Sequence, residues 1–275
     1  MNSSSEIPEP EPSVSHGDMN FLEHLDELRK VIFQCLICFI LGMVIVGVAL
    51  PFFAHFLNWP LHFALGDRST DPIEGGLNTT GPMGVFSVIL QITFFGGFGL
   101  SLPFMLYFVS RFIAPGLTQV EKRMIKPAIF FILVLFIIGS VFSFGILVPS
   151  ALKASLFFND FFEYKILWRA DAYYGLLIWM TLGVGIVFEF PLVLLMLVHL
   201  HILQVGQLKK YRRHSIVAFL FVAAVITPTS DPITFLFLAA PLYALYEISI
   251  FLGARLEHKR TKQKLISEAN ASETI

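Results

Sequence analysis

Charge is scarce in this chain. Asp, Glu, Lys and Arg make up 14% of its 275 residues, against about a quarter in an ordinary soluble domain. Apolar residues fill the gap, at 56% with 30 Phe and a mean hydropathy of +0.74, which excludes a water-soluble domain of this length. The net charge of −1 and the absence of a long basic patch interleaved with aromatics exclude nucleic acid as a partner. Cysteine is limited to Cys35 and Cys38. Their CxxC spacing lies inside an apolar helix with no base or helix N-terminus to lower a thiol pKa, so they read as small buried thiols and not as a redox pair. No HExxH, GxSxG, Walker loop or GxGxxG occurs, and no Ser/Lys or paired-Asp arrangement sits in the apolar runs. His199 and His201 are two apart and point to different helix faces, which argues against a metal. The chain is therefore expected to be no enzyme and to carry no cofactor. Residues 1–20, rich in Ser, Glu and Pro, lack the basic start and apolar stretch of a secretory signal, so a disordered, retained tail is expected there.

What is present is a series of six apolar runs, at about Val31–Ala54, Gly84–Val109, Pro127–Pro149, Tyr173–Leu200, Ser215–Thr227 and Pro232–Leu252. Each is a candidate transmembrane helix. The first four suit a ~30 Å hydrocarbon core, whereas the strictly apolar part of the fifth, Ile216–Ile226, gives only ~16 Å. The sixth is expected to be short as well, because Glu247 interrupts it. A tight turn, Pro228 to Pro232, joins these two.

Lys and Arg set the orientation. Fifteen of the nineteen lie on the N-terminal side: Arg29 and Lys30, four between Arg111 and Lys126, four between Lys209 and Arg213, and five between Arg255 and Lys264. Arg68, Lys153, Lys165 and Arg169 occupy the other side. The positive-inside rule then puts both termini in the cytoplasm. The loops around 55–83 and 150–172 face outward, carrying Trp59 and Trp168 near the interface.

Glu189 is the most informative residue, the lone acid in Tyr173–Leu200. An ionised carboxylate at mid-membrane costs at least roughly 2.5 to 3.5 kcal/mol on insertion scales, so it serves a cavity, a partner or a proton. Pro191 frees the carbonyl of Val187 beside it, which makes a polar notch. Pro103 and Pro241 read as ordinary kinks.

Two cytoplasmic elements add carboxylates. Asn20–Arg29, NFLEHLDELR, is an amphipathic helix leading into the first span. Asn20 and Glu23 fit a cap and Asp26 can pair with Lys30, which leaves Glu27 without an opposite charge at i±4. In residues 111–127, Thr118 and Glu121 have capping-box spacing. Leu22, Leu25, Phe112, Ile113 and Leu117 give both elements hydrophobic rims. Two carboxylates on such a ledge suit a ligand with guanidinium groups followed by apolar residues.

The stretches HLDELRK (24–30), FIAPGLTQVEKR (112–123), GIVFEFP (185–191) and AAPLYALYEISI (239–250) resemble the signature stretches of the TatC family, the multispanning subunit of the twin-arginine protein translocase. The resemblance runs in order from about residue 20 to 255. It implies an all-α membrane protein of six transmembrane helices, the last two short, in a concave bundle with both termini cytoplasmic. The expected organisation is a tail at 1–20, a translocase domain at 21–254 and a polar cytoplasmic tail at 255–275. It also implies a receptor for twin-arginine signal peptides in the cytoplasmic (inner) membrane, exporting folded proteins on the proton-motive force. TatA-like and TatB-like single-span subunits would be its partners, with self-association in a larger complex. By match, Glu27, Arg29, Phe112, Pro115 and Glu121 belong to the signal-recognition site, Glu189 is the intramembrane acid, and Pro60 lies in the first outward loop. The helices from Ser215 and Pro232 match the docking surface of the small partners. Lys30-Val31, Thr80-Gly81-Pro82-Met83 and PTSDP depart from the commoner family pattern. A small ion-coupled transporter would also place an acid between kinked helices, but the two halves of the chain show no obvious repeat. A pure scaffold would need no carboxylate ledge.

Overall fold

The computed structural model describes residues 21–70, 76–79, 81–113, 119–199, 202–227 and 232–273. The described residues form eleven α-helices and one isolated bridge, Asn78 to Arg169. Helix α1, Phe21–Val48, runs unbroken because no proline interrupts it before Pro51. Two short helices follow, α2 (Leu50–Leu57) and α3 (Trp59–Leu65). Each carries proline in its first turn, where a missing amide donor costs nothing. Gly66 ends α3 at φ 55 and opens the 3₁₀ turn Gly66–Thr70.

Helix α4, Pro82–Ile113, returns along α1 with Pro103 inside it. The two backbones touch: a Cβ on Gly42 would lie 2.6 Å from the Gly97 carbonyl oxygen, the close approach small residues permit between membrane helices. Next, α5 (Gln119–Phe142), a π turn (Ser143–Leu147) and α6 (Val148–Phe161) form one continuous run. Pro149 has no amide to donate, and the ladder shifts there, the Val148 amide reaching five residues back to the Ser143 carbonyl. Helices α7 (Ala170–Val187) and α8 (Phe190–His199) make a fourth, broken span. The chain closes with α9 (Val205–Lys210), α10 (Arg212–Ile226) and α11 (Pro232–Glu273).

Five segments are long and apolar enough to cross a membrane: His24–Val48, Met83–Phe112, Ile129–Phe161, Ala170–His199 and Pro232–His258. The expected fifth span, α10, has 15 residues and extends only ~22 Å, short of the ~30 Å core. The last helix differs from expectation, since α11 is 42 residues long. Glu247 does not interrupt it, because its carboxylate accepts from Arg212 Nη2 at 2.7 Å and from the Tyr243 hydroxyl at 3.0 Å. Residues 255–273 contain no Gly or Pro to stop the helix.

Helix α7 is central. Its Tyr173, Leu177, Met180 and Val184 are buried against α4, α5, α6 and α10. Within each span only 11% to 33% is buried inside the protein, so most apolar side chains face outward, as a multi-pass protein in lipid requires and a water-facing fold could not sustain.

At the end where α2 and α3 lie, the connections fold onto one another. Arg68 grips Asp160 through two bonds of 2.9 Å. The Asn78 amide donates to the Trp168 carbonyl, and the Ala170 amide to the Asn78 carbonyl, both at 2.8 Å. The regions read as loops are thus largely helical, and α6 extends the third run well past Pro149.

Candidate functional site

The opposite end carries the ledge. The first turn of α1 meets the last turn of α4 where His24 stacks on Phe112, centroids 4.5 Å apart and planes 19° apart. Glu27 sits one turn further along α1, on the same face as His24. It is half-buried, and its Oε2 is shielded with no hydrogen-bond partner among the described residues. Asp26, Arg29 and Lys30 are exposed. The expected Asp26–Lys30 pair is not formed; ion pairs among the described residues are Arg68–Asp160, Arg169–Asp171 and Arg212–Glu247. Leu25 and Leu28 are exposed beside Glu27. Pro115 lies outside the described residues, as does the Thr118 half of the expected capping box. Glu121 falls in the first turn of α5, with its side chain outside the described residues.

Glu189 occupies the break between α7 and α8. The Phe188 amide still closes onto Val184 at 2.9 Å, whereas the Glu189 amide turns to Ile186 at 3.1 Å. Pro191 then takes the second position of α8, and its carbonyl accepts the Ser249 hydroxyl of α11 at 3.3 Å. The expected kink is therefore a two-residue interruption. Small residues press this break against α5: a Cβ on Gly139 would stand 2.7 Å from the Phe188 ring, and one on Gly185 2.7 Å from the Phe136 ring. The Glu189 carboxylate lies against the Phe136 backbone, both oxygens shielded and neither in a hydrogen bond of ordinary geometry.

Pro60 is buried in α3. Around it the Tyr173 hydroxyl donates to the Leu57 carbonyl at 2.6 Å and the Tyr174 hydroxyl to Asn58 Oδ1 at 2.8 Å, so Pro60 belongs to the packed end cap. Cys35 and Cys38 are free and half-buried. On α10, Val217, Phe221 and Val225 form an exposed apolar row at i, i+4 and i+8.

Sequence reasoning missed three polar residues inside the bundle, Gln91, Ser143 and Thr181. Their isolation in apolar helices was the available signal. It also missed Arg212–Glu247, whose partners are 35 residues apart, a separation that no periodicity reveals.

Chemically, the ledge offers a carboxylate between an aromatic stack and exposed leucines, suited to a cation attached to apolar residues. Comparison with known proteins agrees with this architecture. Residues 23–241 match the family model for the Sec-independent protein translocase protein TatC. The TatC protein of Koribacter versatilis is 33% identical over 93% of this chain and 92% of its own length. The chloroplastic TATC of Arabidopsis thaliana is 29% identical over 87% of this chain and 67% of its own. A crystal structure of the twin arginine translocase receptor TatC superimposes with a TM-score of 0.68 at 32% identity, covering 84% of this chain and 98% of that one. This chain belongs to the TatC family of Sec-independent protein translocase proteins.

Proposed function

We propose that this translocase component is the receptor and core subunit of its complex, binding twin-arginine signal peptides on the ledge of Glu27, Phe112, Pro115 and Glu121, with Arg29 at its margin. The observation that carries the reading is the His24–Phe112 stack, which brings the first and second motifs to one place beside Glu27, whose Oε2 is shielded and has no hydrogen-bond partner among the described residues. A guanidinium fork binds a carboxylate bidentately and an ammonium does not, so the ledge distinguishes arginine from lysine. Both termini lie in the cytoplasm, the orientation that the distribution of Lys and Arg supports, and the protein sits in the cytoplasmic (inner) membrane, as the family likeness implies. TatA-like and TatB-like subunits dock on the exposed row of α10 and on neighbouring α11. Glu189 meets a polar group of a partner helix there, in a self-associating complex that exports folded proteins on the proton-motive force.

The test is binding of a fluorescent twin-arginine signal peptide to the purified protein, beside a twin-lysine peptide and the Glu121→Ala variant. Tight binding lost in both controls is the expected result. Equal binding in all three would show hydrophobic contact alone and end the receptor reading.

A further inference from the structure

Five oxygens inside the bundle have no hydrogen-bond partner among the described residues: Gln91 Oε1, Ser143 Oγ, Thr181 Oγ1 and both carboxylate oxygens of Glu189. They are not scattered. Helices α5 and α7 run antiparallel and close on each other where Gly139 meets Gly185 and Phe188, and the Ser140 hydroxyl points at the Thr181 carbonyl, 3.5 Å away. Carried on one turn, that register sets Ser143 at the level of Thr181; carried back, it sets Phe136 beside Glu189. Helix α4 runs parallel to α7, with Gly99 against Leu182 and Gln91 against Gly175. The five oxygens thus lie at three levels, beside residues 175 and 181 of α7 and at 189 just beyond its end, spread over about 21 Å at 1.5 Å per residue.

Four other buried hydroxyls are satisfied. Ser101 donates to the Gly97 carbonyl at 2.8 Å, Thr227 to Ala223 at 2.7 Å, Ser249 to Leu245 at 2.9 Å and Tyr246 to Leu208 at 2.7 Å. The seam leaves its oxygens open, and a buried polar atom left unpaired costs about 1–3 kcal/mol. There is room beside it. A Cβ on Gly175 would meet only Gln91 Oε1, at 3.9 Å. Polar atoms that lack protein partners and border open space are where buried water binds.

We propose that the interface of α4, α5 and α7 holds bound water molecules in three places, at Gln91, between Thr181 and Ser143, and at Glu189. The waters bridge the unpaired oxygens and give Glu189 hydrogen bonds without opening the bundle to lipid. These waters are independent of the signal-peptide ledge, so either reading can fail alone.

Water-edited solid-state NMR on the full chain in lipid bilayers tests it. Magnetisation is expected to pass from water to the Thr181 and Gln91 side chains several-fold faster than to Leu176 and Leu182, which are likewise half-buried, on α7. Gly175→Ala fits sterically but fills the gap, so transfer to Gln91 should vanish while transfer to Thr181 persists. Thr181→Val should lower the Tm if water bridges the hydroxyl; in a dry seam it removes an unpaired oxygen and raises the Tm. Transfer to Thr181 and Gln91 no faster than to Leu176 and Leu182, or a raised Tm in Thr181→Val, overturns the proposal.

Discussion

Glu27 and Asp26 are neighbours in sequence and opposites in environment, and the pair gives a sharp test of the ledge. Glu27 is half-buried with Oε2 shielded and unpartnered, whereas Asp26 is exposed. A hydrogen bond to a charged group in a shielded place contributes about 1.5–3 kcal/mol, which converts to a roughly ten- to 150-fold change in Kd. Glu27→Ala is expected to weaken a twin-arginine peptide by that much. An exposed pair contributes about 0–1 kcal/mol, so Asp26→Ala should weaken it at most about fivefold. Fluorescence anisotropy with the protein in nanodiscs reads both, at low and high salt. The Asp26 effect should shrink as salt rises and most of the Glu27 effect should survive, because screening acts on solvent-exposed charge. Equal losses in the two variants, or a Glu27 effect abolished by salt, would refute the reasoning that shielding and not bulk attraction selects arginine.

Three further outcomes are expected. Gly139→Ala places a Cβ 2.7 Å from the Phe188 ring and 3.1 Å from the Gly185 Cα, whereas Gly145→Ala meets nothing within 4 Å; the first should lose about 1–3 kcal/mol of stability to overpacking and the second none, read by thermal unfolding. A double-mutant cycle on His24 and Phe112 should return a coupling of about 0.5–1.5 kcal/mol for the stack, and zero coupling would show that the two motifs do not hold each other. Glu189→Gln keeps hydrogen bonding and removes titration, so transport with partner subunits present should persist if the residue serves contact; loss in Gln but not in Asp would indicate proton coupling.

Much of the fold was legible as apolar runs, because a lipid-spanning helix must declare itself over some 20 residues. The shortness of α10 was legible too, bounded by Arg213 and Thr227. The long α11 was not, since Glu247 reads as an interruption until Arg212 of another helix is seen to hold it. Pro149 read as the end of the third run, and Lys153 and Asp160 as loop. In the fold, a π turn absorbs the proline and Arg68 holds Asp160, so the helix continues to Phe161. Local sequence shows a helix-breaking residue but not the distant side chain that makes it harmless. At the site, Glu189 was visible as a lone acid and Glu27 by elimination of local partners, while the approach of His24 to Phe112 joins residues 88 positions apart, beyond the reach of any periodic signal.

The acids within the five spans give these two residues their meaning. Asp160 is held by Arg68, Asp171 by Arg169 and Glu247 by Arg212, and Glu257 accepts the Val205 amide. Asp26 is exposed to solvent. Glu27, through Oε2, and Glu189, through both oxygens, are the acids of these spans with a shielded oxygen that has no hydrogen-bond partner among the described residues. A fold that pairs or exposes its other span acids has no structural use for two that it shields and leaves open, since each forfeits hydration without a compensating bond. Such groups persist where something outside the described chain completes them. At the end where α1 begins, that completing group is expected to be a guanidinium; between α7 and α8 it is expected to be water first and a partner helix second. Replacing each carboxylate by its amide therefore predicts different failures: loss of peptide affinity at Glu27, and, at Glu189, unchanged peptide affinity with altered assembly or transport.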